Sequence, residues 1–185
     1  VVTNNSELAE KAARLRSHGI NRPYNDKDEM PWYYEQEDLG WNYRLTDLQA
    51  SLGHSQIKRL NNFLSQRRKI ARRYDQLLGK EPFKNYISPP PYEDGHAWHL
   101  YIIQFLEKEH RNSAYKFLKE RKIFTQIHYI PVYRHPYYKK LVGSMHLPGA
   151  EAYFESCLSI PLYPDLSEQQ QDRVLECLAS FLEKG

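Results

Sequence analysis

A long helical repeat occupies the middle of the chain and limits the folds available to it. Between Asp47 and Leu78 the apolar residues recur every three or four positions, which places them on one face of an α-helix. The spacing predicts one long helix or two in tandem, with Gly53 and Asn61–Asn62 as possible breaks. Gly79 ends the pattern, and the four prolines that follow before Gly95 exclude a long regular element there.

The segments on either side of this repeat predict a small α/β fold. A helix is expected over residues 4–18, after a strand tail at Val1–Val2–Thr3, and residues 21–40 have the composition of a loop. Ser167 and Gln170 form a capping box that begins the last helix. Between Gly95 and Ser167 the predicted order is strand (98–105), helix (112–122), strand (124–130), loop (131–149), short helix (150–157) and short strand (158–162).

Composition excludes several classes of protein. The 185 residues suffice for one domain or slightly more, and 41% of them are hydrophobic. A net charge of +3 from 26 basic and 23 acidic residues does not indicate a nucleic-acid partner. The basic clusters Arg67–Arg68–Lys69 and Arg72–Arg73 are interpreted as a solvated helix face.

Neither a metal site nor a membrane segment is expected. The two cysteines have no zinc-like spacing, and His96 and His99 would point to opposite faces of a strand. There is no membrane-length apolar run and no signal peptide, so the protein is expected to be cytoplasmic. Because the chain opens on Val1 without a Met, we expect it to lie inside a larger protein.

Gly40, Asn42 and Arg44 form a candidate anion-binding loop directly before the long helix. Gly40 tolerates backbone angles that other residues avoid, while Asn42 and Arg44 carry N–H donors suited to phosphate or carboxylate. A loop of this kind at a helix start can bind an anion. Spacing alone favours the simpler alternative, a polar loop that caps the helix.

Residues 128–138 form a second candidate region, rich in His and Tyr. They either line a polar pocket or form a packed aromatic loop, and their spacing does not decide between the two. No glycine-rich nucleotide loop, nucleophile elbow or zinc-protease motif occurs. The residues by themselves therefore predict a soluble α/β fragment with an anion-binding loop and an aromatic loop.

Several motifs resemble the DegT/DnrJ/EryC1/StrS family of sugar aminotransferases. Residues 40–47, Gly-Trp-Asn-Tyr-Arg-Leu-Thr-Asp, resemble the family motif G-aromatic-N-Y-R-hydrophobic-[ST]-D. Residues 1–20 are similar to the segment after the catalytic lysine, and residues 128–131 and 158–164 match later signatures. Within the family, Pro31–Trp32–Tyr33–Tyr34 ahead of Leu39–Gly40 is most similar to the pseudaminic acid branch.

This resemblance implies the C-terminal part of a fold-type I aminotransferase that uses pyridoxal 5′-phosphate (PLP). Residues 1–44 would be the tail of the large PLP-binding domain with an active-site loop. Residues 45–79 would be a connecting helix, and residues 80–185 a small α+β domain. The parent enzyme would be a homodimer without nucleic-acid or membrane partners.

The implied reaction is transfer of an amino group from glutamate to C4 of a UDP-4-keto-6-deoxy sugar. The family's catalytic lysine lies in a motif that this chain does not contain, so no catalytic residue is assigned here. The chain alone is therefore predicted to be inactive and not to retain PLP. Two alternatives remain, a non-catalytic dimerisation or interaction domain and a PLP-dependent sugar dehydratase of the same family.

The resemblance also implies roles for five residues. Asn42 would reach the PLP phosphate of the partner subunit, and Arg44 would support that contact or the loop. His128 and Tyr129 match positions near the nucleotide-sugar pocket. Tyr133 occupies a position where relatives often carry His, and it is a third candidate substrate residue.

Overall fold

The computed structural model describes residues 2–22 and 30–183 of the chain. Contacts divide the chain into unit 1, Val1–Lys58, and unit 2, Arg59–Gly185. The helices are α1 (Ser6–Leu15), α2 (Asp47–Leu78), α3 (Glu109–Glu120), α4 (Pro136–Val142), α5 (Pro148–Ser156) and α6 (Glu168–Leu182). The strands are β1 (Ile20–Asn21), β2 (Glu35–Gln36), β3 (Ile87–Ser88), β4 (Tyr101–Phe105) and β5 (Cys157–Ile160), and 3₁₀ turns cover Phe83–Asn85 and Val132–Arg134.

Helix α2 is a single uninterrupted helix, which confirms the prediction from the central repeat. Gly53 does not break it, because a glycine in an exposed helix interior costs only about 1 kcal/mol relative to alanine. The buried residues of α2 lie near its C-terminal end, where Ile70, Ala71, Tyr74 and Leu78 enter the core of unit 2.

Unit 1 consists of α1, the two-residue pair β1–β2 and the start of α2. Asn5 caps α1, and its side-chain oxygen accepts a hydrogen bond from the backbone N–H of Leu8 at 3.0 Å. Strand β1 pairs antiparallel with β2. Among the described residues of unit 1, Gly19 alone is buried. Val2 and Thr3 are not in a strand, and Val1 lies outside the described residues.

Unit 2 is built on an antiparallel sheet of order β3–β4–β5. Tyr101, Ile103 and Phe105 alternate along β4 and are buried, as expected when one face of a sheet covers a core. The core also takes Leu118 from α3 and Leu178 from α6. This arrangement confirms the small α/β fold predicted for the second part of the chain.

Polar side chains connect the end of α2 to the rest of unit 2. The hydroxyl of Tyr74 donates to the carbonyl of Pro161 at 3.0 Å, and the amide of Gln171 donates to the carbonyl of Ile70 at 3.1 Å. Arg67 Nη1 lies within 3.3 Å of three backbone carbonyls, those of Trp98, His99 and Leu162. The prediction of a solvated basic face is therefore wrong for Arg67, whose guanidinium binds backbone carbonyls.

Two further expectations for unit 2 were wrong. Residues 124–130 do not form a strand, because they pair with β5 only at the bridge between Gln126 and Ser159. The alternation of buried and exposed residues also ends there, and Tyr129 is exposed. Residues 131–149 are not simply a loop, since they contain the 3₁₀ turn and α4. Pro136 at the first position favours the helical start of α4.

The domain boundaries inferred from resemblance stay predictions, since the division into two units follows contacts within this chain alone. In the part of the chain that the structure describes, no helix is both long and apolar enough to span a membrane. Nor do residues 2–22 and 30–183 contain a group of three or more His, Cys, Asp or Glu side chains that could bind a metal ion.

Candidate functional site

The candidate anion-binding loop is held against the end of α1 by a close approach of two backbone segments. A Cβ added to Gly40 would lie 2.2 Å from the backbone nitrogen of Gly19, and one added to Gly19 would lie 1.9 Å from the carbonyl oxygen of Asp38. Gly19 has a φ of +71°, whereas Gly40 has no positive φ. Gly40 is therefore required because a side chain at this position would collide with the backbone of Gly19. It is not required for an unusual backbone angle, as the sequence had suggested.

Backbone hydrogen bonds complete this contact. The N–H groups of Trp41 and Tyr43 donate to the carbonyls of Leu15 and Arg16, each at 2.8 Å, and the N–H of His18 donates to the carbonyl of Trp41 at 2.8 Å. The bridge between Ser17 and Asn42 is part of the same ladder. The loop is thus held in an extended conformation by its main chain.

In extended backbone successive side chains point to opposite sides, and residues 41–44 follow this rule. The rings of Trp41 and Tyr43 stack with centroids 5.9 Å apart. Asn42 and Arg44 share the other side, where Arg44 Nε and Nη2 donate to Asn42 Oδ1 at 3.2 and 3.1 Å. The sequence predicted both residues as anion binders but not their contact with each other.

The contact between Arg44 and Asn42 determines which atoms of Asn42 remain available. Because Oδ1 already accepts two hydrogen bonds from Arg44, the side chain presents its Nδ2 hydrogens to an incoming group. The adjacent guanidinium adds positive charge. This pair suits a phosphate or carboxylate oxygen, which accepts hydrogen bonds.

Arg44 also lines a groove of about 800 Å³ in unit 1, whose charged lining residues in addition include Glu10 and Arg14. Arg14 is occupied by acidic partners, since its Nε donates to Asp38 Oδ2 at 2.8 Å. That hydrogen bond raises the pKa of Arg14. Arg44 has no acidic partner among the described residues, which leaves its charge available to a ligand.

Thr46 and Gln49 cap the start of α2 directly after the loop. The N–H of Gln49 donates to Thr46 Oγ1 at 3.3 Å, and the N–H of Thr46 donates to Gln49 Oε1 at 3.0 Å. These reciprocal bonds satisfy backbone donors that a helix start leaves free. The polar cap expected from the sequence and the anion-binding side chains are thus neighbouring features of one loop.

In unit 2 the structure places His128 beside β5. His128 Nδ1 lies 2.7 Å from Ser159 Oγ, a buried side chain of β5. The ring of Tyr129 meets that of His128 edge to face, with centroids 4.5 Å apart, and Tyr129 is largely exposed. Ser159 thereby fixes the orientation of the imidazole, while Nε2 has no hydrogen-bond partner among the described residues.

Tyr133 is held by an acidic side chain of α5. Its hydroxyl donates to Glu151 Oε1 at 2.8 Å, and Arg134 forms an ion pair with the same carboxylate. The hydrogen bond from Tyr133, followed by the Arg134 charge, lowers the pKa of Glu151. Desolvation and the carboxylate raise the pKa of Tyr133, which keeps the phenol protonated as a donor.

Sequence reasoning missed Ser159 and Glu151 as parts of this region. They lie 31 and 18 residues from His128 and Tyr133 along the chain, so no local spacing indicated them. The predicted site residues occur in two groups, Asn42 with Arg44 in unit 1 and His128, Tyr129 and Tyr133 in unit 2.

Comparison with known proteins now identifies the family. The sequence profile of the DegT/DnrJ/EryC1/StrS aminotransferase family matches residues 1–179. The chain belongs to this family.

Two relatives resemble the chain over nearly its whole length. It is 38% identical to the spore coat polysaccharide biosynthesis protein SpsC of Bacillus subtilis, over 98% of this chain and 49% of that protein. It is 34% identical to the UDP-4-amino-4,6-dideoxy-N-acetyl-β-L-altrosamine transaminase of Campylobacter jejuni, over 100% of this chain and 48% of that protein. The chain thus spans about half the length of these relatives.

Solved structures confirm the fold. Helicobacter pylori PseC, an aminotransferase of pseudaminic acid biosynthesis, matches all of this chain over 48% of its own length, with a TM-score of 0.89 and 28% identity. The PLP form of Spr1654 from Streptococcus pneumoniae, a proposed sugar aminotransferase, matches with a TM-score of 0.84 and 27% identity, over 98% of this chain and 45% of that one. The fold is the C-terminal portion of a sugar aminotransferase.

Proposed function

We propose that this chain provides the phosphate-binding loop and the sugar-binding segment of a PLP-dependent aminotransferase. The enzyme would transfer an amino group from glutamate to C4 of a UDP-4-keto-6-deoxy sugar. Family membership and the similarity to the Campylobacter jejuni transaminase support this reaction. The observation that carries the proposal is the pairing of Asn42 Oδ1 with Arg44, which directs amide donors outward.

The residues of the loop fit the phosphate of PLP. Asn42 Nδ2 would donate to a phosphate oxygen while Arg44 holds the amide and contributes positive charge. When bound, PLP supplies the electron sink that an amino transfer requires. We propose that this phosphate belongs to the cofactor of a partner subunit, so that the enzyme is a homodimer and Asn42 completes its neighbour's site.

His128 and Tyr129 are our candidates for contact with the nucleotide sugar. Ser159 holds one imidazole nitrogen of His128, which reduces the entropy that the ring would lose on binding a ligand. The hydroxyl of Tyr133 is already bonded to Glu151. We therefore propose that Tyr133 positions the substrate-binding segment and contacts the sugar with its ring.

The three regions would divide the work of the parent enzyme. Residues 1–44 would complete the large PLP-binding domain, residues 45–79 would connect the domains, and residues 80–185 would form the small domain. The catalytic lysine would lie outside this chain, so the chain alone would neither retain PLP nor transaminate. The two free cysteines favour a cytoplasmic location.

The reaction can be tested on the intact protein that includes this chain. It should bind PLP and convert glutamate and a UDP-4-keto-6-deoxy sugar into 2-oxoglutarate and a UDP-amino sugar, detected by mass spectrometry. Loss of a sugar hydroxyl without amination would contradict the proposal in favour of a dehydratase. A protein that dimerises but binds no PLP would contradict it in favour of an interaction domain.

The loop can be tested with Asn42→Ala in the same intact protein. Loss of one charge-assisted hydrogen bond should weaken PLP binding by about 1.5–3 kcal/mol, or roughly 10- to 150-fold. Asn61→Ala, at an exposed position of α2, is the matched control and should leave PLP binding unchanged. If Asn42→Ala retains PLP as tightly as the parent, the assignment of the loop is wrong.

A further inference from the structure

A groove in unit 2 is lined mainly by basic side chains and has no part in the function proposed above. It lies along the C-terminal half of α2 and has a volume of about 750 Å³. Its charged lining residues are Arg68, Lys69, Arg72, Arg73 and Glu168, and we call it the basic groove.

Two of the four positive charges in the basic groove are neutralised within unit 2. Lys69 Nζ lies 3.2 Å from a carboxylate oxygen of Glu168. Arg73 Nη2 donates to Asp172 Oδ1 at 2.6 Å. Glu168 and Asp172 belong to the first turns of α6, which lines one side of the groove.

The other two charges, on Arg68 and Arg72, have only neutral hydrogen-bond acceptors. Arg68 donates to the carbonyls of His96 at 3.3 Å and Gly95 at 3.4 Å. Arg72 Nη2 donates to the hydroxyl of Tyr92 at 3.1 Å, and that hydroxyl donates onward to Asp94 at 3.2 Å. The carbonyls leave the charge of Arg68 uncompensated, whereas the Asp94 carboxylate behind Tyr92 acts on Arg72 through space, so the groove has an excess of between about one and two positive charges at neutral pH.

The geometry of the two arginines is suited to one multivalent anion. Arg68 and Arg72 are four residues apart, which places them on one face of α2. Arg72 is further held over the ring of Tyr92, 5.9 Å from its centroid. Side chains that are held before binding lose less entropy when a ligand arrives.

Arg73 shows that hydrogen-bond donors at the groove are not all satisfied. Its Nη2 binds Asp172, but its Nη1 is buried and has no partner among the described residues. Buried polar atoms are normally hydrogen-bonded, and an unpaired one costs free energy that an acceptor would recover. Because Nη1 is shielded from solvent, a ligand in the groove would not reach it, and Arg73 contributes to the groove through its ion pair with Asp172.

We propose that the basic groove binds the phosphoryl group of a small ligand, a free diphosphate or a nucleoside diphosphate. Phosphate offers several acceptor oxygens and about two negative charges, which match the two guanidiniums, Arg68 and Arg72, that have no direct carboxylate partner among the described residues. A nucleic acid fits less well, because it needs a longer row of uncompensated charges. Binding at this position would give unit 2 a ligand site beyond the residues assigned to PLP and sugar.

The test uses the chain with inorganic pyrophosphate as the probe. Titration followed by NMR should shift the side-chain Nε resonances of Arg68 and Arg72, and calorimetry should give the dissociation constant. Arg68→Gln/Arg72→Gln should weaken pyrophosphate binding by about tenfold or more, since it removes two charge-assisted contacts. Lys116→Gln/Lys119→Gln removes the same charge from exposed positions of α3 and should change the affinity by less than about twofold.

The single variant Arg72→Gln provides a second test in case the double variant does not fold, because Arg72 is exposed and its side chain hydrogen-bonds only to Tyr92.

Titration with adenosine diphosphate identifies the source of the phosphoryl group. Tighter binding than pyrophosphate would support a nucleotide, and equal binding would support free diphosphate. Absence of shifts at both arginines, or equal affinity of parent and arginine variants, would overturn the proposal.

Discussion

Unit 2 has a contiguous cluster of buried hydrophobic side chains from α2, α3, α6 and the sheet, whereas unit 1 buries only Gly19 among its described residues. Unit 1 is instead ordered by backbone hydrogen bonds between residues 15–19 and 37–43 and by the close approach of two glycines. Large apolar side chains of unit 1, including Trp41, Leu45 and Leu48, are exposed. Both units contain candidate site residues, but only unit 2 contains its own core.

This difference indicates where the stability of each unit arises. Burial of apolar surface is the main favourable contribution to folding, and backbone hydrogen bonds contribute little net free energy when water competes for them. We therefore expect unit 2 to be stable by itself and unit 1 to depend on surfaces that cover its apolar residues in the parent enzyme. Three experiments test this expectation, and a fourth tests a polar contact within unit 2.

Hydrogen exchange should show the largest difference between the units. The amide of Ile103 in β4 lies in the core sheet, whereas the amide of Tyr43 is bonded to Arg16 in a unit without a core. Since opening of a core element costs far more than local opening, we expect exchange at Tyr43 to be faster by about a thousandfold or more after correction for intrinsic rates. Equal protection factors would show that unit 1 has a source of stability other than a core.

Truncation of a leucine should give the second-largest difference between the two units. Leu178 is fully buried in α6, so Leu178→Ala should lower the free energy of unfolding of unit 2 by about 2–5 kcal/mol. The matched variant Leu48→Ala removes the same atoms from a side chain that is 83% exposed. It should change that free energy by less than about 0.5 kcal/mol. Similar losses in urea denaturation of the two variants would contradict the comparison.

Glycine replacements should test the backbone contact that orders unit 1. Gly19→Ala adds a Cβ 1.9 Å from the carbonyl oxygen of Asp38 and also strains a φ of +71°. Gly95→Ala has a φ of +83° but open space around the new atom, so it isolates the cost of the backbone angle, about 1–2 kcal/mol. We expect Gly19→Ala to abolish protection of the His18 and Tyr43 amides, measured by NMR. Persistence of that protection would show that the glycine contact is dispensable.

The pH dependence of Glu151 should give the smallest effect. The hydrogen bond from Tyr133, together with the Arg134 ion pair, lowers the pKa of Glu151 in the folded state, so these contacts stabilise unit 2 above the usual carboxyl pKa and their contribution is lost as the pH falls through the folded value. In thermal unfolding, Glu151→Gln should be less stable than the parent at pH 7, and this difference should shrink near pH 4. For Glu176→Gln, at an exposed position of α6, the difference in stability from the parent should not change between pH 7 and pH 4. A deficit for Glu151→Gln that is independent of pH would contradict the stabilisation of the ionised Glu151 carboxylate by Tyr133 and Arg134.

The sequence predicted the elements with strong local patterns better than those that depend on pairing. The bounds of α2 and the capping box at Ser167 follow from spacing and cap residues, and both were confirmed. The predicted strand over residues 124–130 was wrong, because pairing with β5 is limited to one bridge. Strand formation depends on a partner elsewhere in the chain, which local composition does not specify.

Residue types and motif order in the sequence determined the family and the candidate residues Asn42, Arg44, His128, Tyr129 and Tyr133. The folded structure decided which atoms of these residues remain available, through one contact between residues two apart, Asn42 and Arg44, and two contacts between distant residues. Arg44 occupies the oxygen of Asn42, Ser159 holds His128, and Glu151 holds Tyr133. Gly40 likewise proved necessary because another backbone segment passes close to it. Local spacing sets helical periodicity and capping, whereas contacts between distant residues depend on how the chain folds back on itself.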